Sequence, residues 1–157
     1  MNPALLAALA LAACAHQTPG SHPPLERALR LEMRLPDVTQ RAEIPFEVIF
    51  ALRNATKAPL AFCQADSGVS VALARGYGTD HVVLHGLALN PAGRCHQPTE
   101  LAPGAAKEFR EWVRVRAELA GPALLFGYIR VHRRGPLRNE ADVPTIRSRN
   151  AMIRIER

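Results

Sequence analysis

Aromatic side chains are scarce in this chain of 157 residues: five Phe, two Tyr and one Trp, 5% in all. The stacking platforms of single-strand nucleic-acid binders are therefore not expected, and no nucleic-acid partner is expected. Lysine is nearly missing, with Lys57 and Lys107 standing beside a large set of arginines. No apolar run reaches the roughly 18–20 residues that a membrane-spanning helix needs. The cysteines form no C-x-x-C, which argues against thioredoxin-type redox chemistry. Beyond Cys14 the serines are Ser21, Ser67, Ser70 and Ser148, and none lies in G-x-S-x-G or S-x-x-K. Asp66-Ser67-Gly68 is ordinary turn composition. Acidic residues are scattered singly, and no glycine-rich loop could cradle phosphate. The chain is therefore expected to be no enzyme and to carry no cofactor.

What is present points to one folded domain. The chain is 48% hydrophobic and 22% charged, which suits a buried core rather than disorder. It opens with ten consecutive Ala or Leu residues, Ala4 to Ala13. That is the length of a signal-peptide apolar region. The run ends in Leu11-Ala12-Ala13-Cys14. This resembles the bacterial lipobox, in which small residues precede a cysteine that is diacylated and becomes the mature N-terminus. The resemblance implies a signal peptide over residues 1–13 and a palmitate-type lipid anchor in the bilayer at Cys14. Two acyl chains anchor stably where one does not. Ala15 stands where an Asp would imply inner-membrane retention, so the resemblance implies the outer membrane, facing the periplasm. Residues 14–27 hold Pro19, Gly20, Ser21, Pro23 and Pro24. They are expected to be a semi-extended tether without helix or central strand.

From Ala28 to Arg157 the pattern is that of strands. Leu29, Leu31, Met33 and Leu35 alternate with Arg30, Glu32 and Arg34. Such a period of two places one face in a core and the other in water. Similar runs are Phe46 to Arg53, Pro59 to Cys63, Val69 to Leu73, Glu108 to Val115, Ala123 to Val131 and Asn150 to Glu156, with His81 to Leu89 weaker. A helical turn is expected near Arg116 to Leu119. Arg133 to Ser148 shows little pattern and is expected to form a long hairpin loop. About seven to nine short strands separated by turn residues read as a single antiparallel β-sandwich. Leu52-Arg53-Asn54-Ala55-Thr56, restarting at Pro59-Leu60, resembles the B-to-C passage of bacterial Ig-like domains. Leu101-Ala102-Pro103-Gly104 before Glu108 is similar to their later turn. The layout is also similar to BsuPI-type proteinase-inhibitor domains, and that likeness implies inhibition of a protease as the alternative to a binding or scaffold role. Gln40-Arg41-Ala42-Glu43 stands where those domains have a Gly in the first hairpin.

With Cys14 assigned to lipid, Cys63 and Cys95 remain, an even pair for an oxidising compartment. A disulfide between them is expected to contribute about 3–4 kcal/mol by closing the loop. His81 and His85 share a parity and would face one way in a strand, near Cys95-His96. A disulfide would consume the thiolate, so no metal site is expected.

Arginine is concentrated late in the chain, at positions 130, 133, 134, 138, 147, 149, 154 and 157, against Glu140, Asp142 and Glu156. That segment reads either as a solvated face or as a basic face for anionic headgroups or an acidic partner. Trp112 lies between Arg110 and Arg114, out of phase with Phe109 and Val113, and so belongs to the charged face of its strand. An exposed Trp flanked by Arg is the composition of a binding hot spot. The candidate partner-binding residues are thus Trp112, Arg110, Arg114, Arg133, Arg134 and Arg138, and the partner expected is an envelope protein or polymer.

Overall fold

A computed structural model describes residues 23–76, 80–86, 95, 98–133 and 143–157. Cys14 and most of the tether lie outside them. The chain first forms one helical turn, α1 (Leu25–Ala28). The tether was expected to lack helix to Arg27. Pro23 and Pro24 forbid only interior helix positions, and Pro24 stands ahead of the first turn as its N-cap. Pro24 O accepts bonds from Arg27 N at 2.9 Å and Ala28 N at 3.0 Å. Leu25 and Ala28 are buried in the core.

Eleven strands follow among the described residues: β1 (Leu29–Arg34), β2 (Thr39–Arg41), β3 (Phe46–Asn54), β4 (Leu60–Gln64), β5 (Ser70–Ala74), β6 (His81–His85), β7 (Thr99–Leu101), β8 (Ala106–Val113), β9 (Gly121–His132), β10 (Thr145–Arg147) and β11 (Ala151–Glu156). A 3-10 turn, Ala117–Leu119, stands where a helical turn was expected. The strands form two sheets that face each other as an all-β sandwich. One sheet has the order β1-β3-β8. The larger runs β2-β11-β9-β4-β7, with β10 also paired to β9 and β5 placed between β9 and β6. All pairs are antiparallel except β2 with β11. Three short strands, β2, β7 and β10, exceed the seven to nine expected. Part of the long loop expected over Arg133 to Ser148 is therefore the strand β10, and residues 134–142 lie outside the described residues.

The core is the side-chain layer between the sheets, where Phe50, Phe62, Leu52, Leu125 and Ile129 are fully buried. The central strands β5 and β9 are also covered on their outer side, where Ala72, Ala74 and Phe126 form a second cluster with Leu124 and Tyr128. In β1 the buried Leu29 and Leu31 alternate with exposed Arg30, Glu32 and Arg34, as period two requires. The connection from β2 to β3, which crosses from the large sheet to the small one, bends at Glu43, whose φ of 63° is the left-handed conformation that glycine usually supplies. Its backbone N–H donates to Val115 O at 2.8 Å, and its carboxylate accepts from Ala117 N at 2.8 Å. These two bonds hold a glutamate in a conformation that sterics disfavour.

Candidate functional site

The outward face of the three-stranded sheet is built from strand register. Pairing sets Arg30 beside Arg53, Glu32 beside Ala51 and Arg34 beside Ile49. It continues with Ala51 beside Glu108, Ile49 beside Arg110 and Glu47 beside Trp112. Rows of positive and negative charge thus alternate along the sheet. Salt bridges cross the rows: Arg53 Nε to Glu32 Oε1 at 3.2 Å, Arg110 Nη2 to Glu108 Oε1 at 2.9 Å and Arg110 Nη1 to Glu47 Oε1 at 3.5 Å. Arg53 also donates to Gly104 O at 2.6 Å. Arg53's hydrogen bond holds the Glu32 carboxyl below the usual carboxylate range. Glu108's hydrogen bond, helped by the charge of Glu47, makes the Arg110 guanidinium hold its proton more tightly than usual. These groups are exposed, so each pair contributes little to stability and mainly fixes side-chain positions.

Trp112 stands at the end of this face with 63% of its surface exposed. Its strand neighbours Phe109 and Val113 point into the core, which forces the indole outward. Arg110 is held by two carboxylates beside it, and Arg114 is exposed just beyond the strand end. A large rigid aromatic on a cross-braced sheet can bury much apolar area at small entropic cost. The structure holds Trp112 and Arg110 on β8, with Arg114 directly after its end. Arg133 is elsewhere: it follows β9 in the other sheet and donates through Nη2 to Pro23 O at 2.6 Å. Arg134 and Arg138 lie outside the described residues.

The histidines do not share a face. Val71 pairs with His85 and Ala72 with Val83, so Leu84 is an extra residue that reverses the parity of β6. His81 packs edge-on to Phe126 on the outer side of the large sheet, with ring centroids 5.6 Å apart. His85 Nε2 instead lies 3.4 Å from Glu111 Oε2 at the seam between the sheets. His96 is outside the described residues. Among the described residues no group of three or more His, Cys, Asp or Glu is placed to hold a metal ion. Cys63 and Cys95 form a disulfide with Cα atoms 5.5 Å apart.

Three polar arrangements were not legible in the sequence. Asp66, with a fully buried side chain, accepts from Arg130 Nη2 at 2.6 Å, Arg130 Nε at 3.1 Å and Arg130 N at 2.9 Å. Its carboxylate is thereby committed to structure, and the neighbouring Ser67 is exposed. Asn54, also fully buried, donates through Nδ2 to Ala58 O at 2.8 Å and Leu101 O at 3.0 Å. Its Oδ1 accepts from Thr56 N at 2.9 Å and Thr56 Oγ1 at 2.8 Å. Glu111 faces inward between Phe109 and Val113 and accepts from Val69 N at 2.8 Å, which joins β8 to the other sheet.

No family model matches the chain, and no curated protein is similar to it in sequence. Distant likenesses exist among solved structures. The Pseudomonas fluorescens alkylpurine DNA glycosylase AlkC matches 83% of this chain at 12% identity and a TM-score of 0.45. The sporulation control protein Spo0M of Bacillus subtilis matches 83% at 8% identity and a TM-score of 0.48. The human CEP192 PapD-like domain 7 matches 92% at 15% identity and a TM-score of 0.36. The chain spans 31% of the AlkC chain and 50% of Spo0M. These likenesses carry no argument about function.

Proposed function

We propose that this protein is a lipid-anchored envelope lipoprotein whose β-sandwich is a non-catalytic binding module for a partner protein. Trp112 carries the binding reading: a lone tryptophan, 63% exposed on a braced sheet face beside Arg110 and Arg114. Burying such a ring in a partner removes on the order of 150–250 Å² from water, enough to anchor an interface. The anchor reading is supported by Leu11-Ala12-Ala13-Cys14 and by the Cys63–Cys95 disulfide, a bond typical of oxidising compartments. The described fold begins at Leu25, about a dozen residues after Cys14. At a maximum of roughly 3.3–3.6 Å per residue, that length spaces the sandwich off a bilayer surface.

Two experiments test the two halves separately. Growth with a labelled fatty acid should label the wild type and not Cys14→Ser; an unlabelled wild type rejects the anchor. Cross-linking in intact envelopes should capture a defined partner with wild type and lose it with Trp112→Ala. Capture that is indifferent to Trp112→Ala rejects the binding surface.

A further inference from the structure

The open edge of β1 matches a second copy of itself. Across β3, Ala55 N donates to Ala28 O at 2.8 Å, while Asn54 N turns the other way to Ala105 O at 2.9 Å. Bonded and non-bonded pairs alternate in an antiparallel ladder. Arg30, Glu32 and Arg34 therefore bond to β3, and Leu29, Leu31 and Met33 turn their N–H and C=O groups away from it. Leu29 N–H is used by Leu25 O at the end of α1. The Leu29 carbonyl and both backbone groups of Leu31 and Met33 remain at the edge. Among the described residues no strand pairs with that edge. A cleft of about 750 Å³ runs along it, bounded across the gap by Thr145 and Arg149.

Charged side chains on an edge strand ordinarily discourage pairing, because a wrong register sets like charges together. Here one register does the opposite. We propose that two copies of this chain associate by antiparallel pairing of their β1 strands, centred on Leu31 opposite the partner's Leu31. The two small sheets then become one continuous sheet. Leu31 exchanges both bonds with the partner's Leu31, and Met33 N–H donates to the Leu29 carbonyl of the partner subunit. Arg30 then stands opposite the partner's Glu32, and Glu32 opposite the partner's Arg30. These are non-bonded pairs, in which side chains approach most closely. The Arg30 side chain makes no hydrogen bond or salt bridge of its own among the described residues, while Arg53 already holds Glu32 in place. The neighbouring registers are worse. Centring on Glu32 sets Glu32 against the partner's Glu32 and Arg30 against the partner's Arg34. Centring on Met33 runs past Arg34 into Pro36, where β1 has ended. A slip of one residue sets the edge groups against positions whose backbone N–H and C=O already point to β3.

Sedimentation equilibrium of the full chain in density-matched detergent tests this. Wild type should show a monomer–dimer equilibrium that weakens with added salt. Arg30→Glu alone and Glu32→Arg alone should each raise the dissociation constant about tenfold or more, because each turns two attractions into repulsions. The double variant Arg30→Glu with Glu32→Arg should restore dimerisation. Both positions are exposed, and unchanged circular dichroism confirms that the variants fold. A wild type that is monomeric at every attainable concentration overturns the proposal. So does a dimer that neither single reversal weakens, or one that the double variant fails to restore. Trp112→Ala should leave the equilibrium unchanged, which keeps this outcome separate from the partner-capture test.

Discussion

Gly127 lies directly under the ring of Phe50 across the sandwich. A Cβ at Gly127 would come within 2.6 Å of Phe50 Cζ and 2.8 Å of Val69 Cγ1. Phe50 and Val69 are fully buried, so neither can yield into solvent. The glycine is what allows β9 to approach β3 this closely. Gly127→Ala should therefore destabilise the fold by about 1–3 kcal/mol through overpacking. Urea titration checks it, and an unchanged midpoint would show that the ring can move aside.

Asn54 joins the end of β3 to two neighbouring loops through a single amide. Asn54→Ala removes the donor to the Ala58 and Leu101 carbonyls and the acceptor for Thr56. Buried groups left unpaired cost about 1–3 kcal/mol each. The expected loss is at least ~2 kcal/mol in the same titration, with Asn54→Asp also destabilising because a carboxylate cannot donate to carbonyls.

The disulfide ties β4 to the segment holding Cys95. Replacing Cys63 and Cys95 together by Ser should lower stability by about 3–4 kcal/mol in the chain-entropy model. Thiol alkylation of envelope-produced wild type should modify neither residue until a reductant is added.

Glu32 provides a pH signature. Arg53 lowers its folded-state pKa, so the associated stabilisation is present above the unfolded-state pKa. It fades as pH falls through the folded value. Glu32→Gln should therefore lower the thermal midpoint slightly at neutral pH, and the difference from wild type should vanish in acid, once the carboxylate is protonated in the folded state. A difference that grows on acidification would contradict the assigned ion pair. Because both side chains are substantially exposed, solvent screening keeps the effect small.

Side-chain alternation made much of this fold readable. The two-residue period of β1, β3, β8 and β11 shows in the sequence, and the phase of Phe109 and Val113 is enough to place Trp112 outside. Strands of three residues such as β2, β7 and β10 are too short to display a period. The β6 bulge is invisible because one additional residue leaves sequence spacing intact while reversing facing, which is why His81 and His85 part. Asn54 and Asp66 look like turn residues locally, and their roles are set by partners far along the chain. Glu111 sits at a core position that alternation alone would assign to an apolar residue. Its half-buried carboxylate is explained by Val69 N–H and His85, which only tertiary structure brings near.

Site-directed photocross-linking in intact envelopes tests the central claim most directly. A photoreactive residue is placed at Trp112, and another at Met152, which is 69% exposed on the opposite sheet. A discrete adduct with one partner from position 112, and none from position 152, is the predicted result. Equal or absent cross-linking at the two positions would contradict a binding role for the Trp112 face.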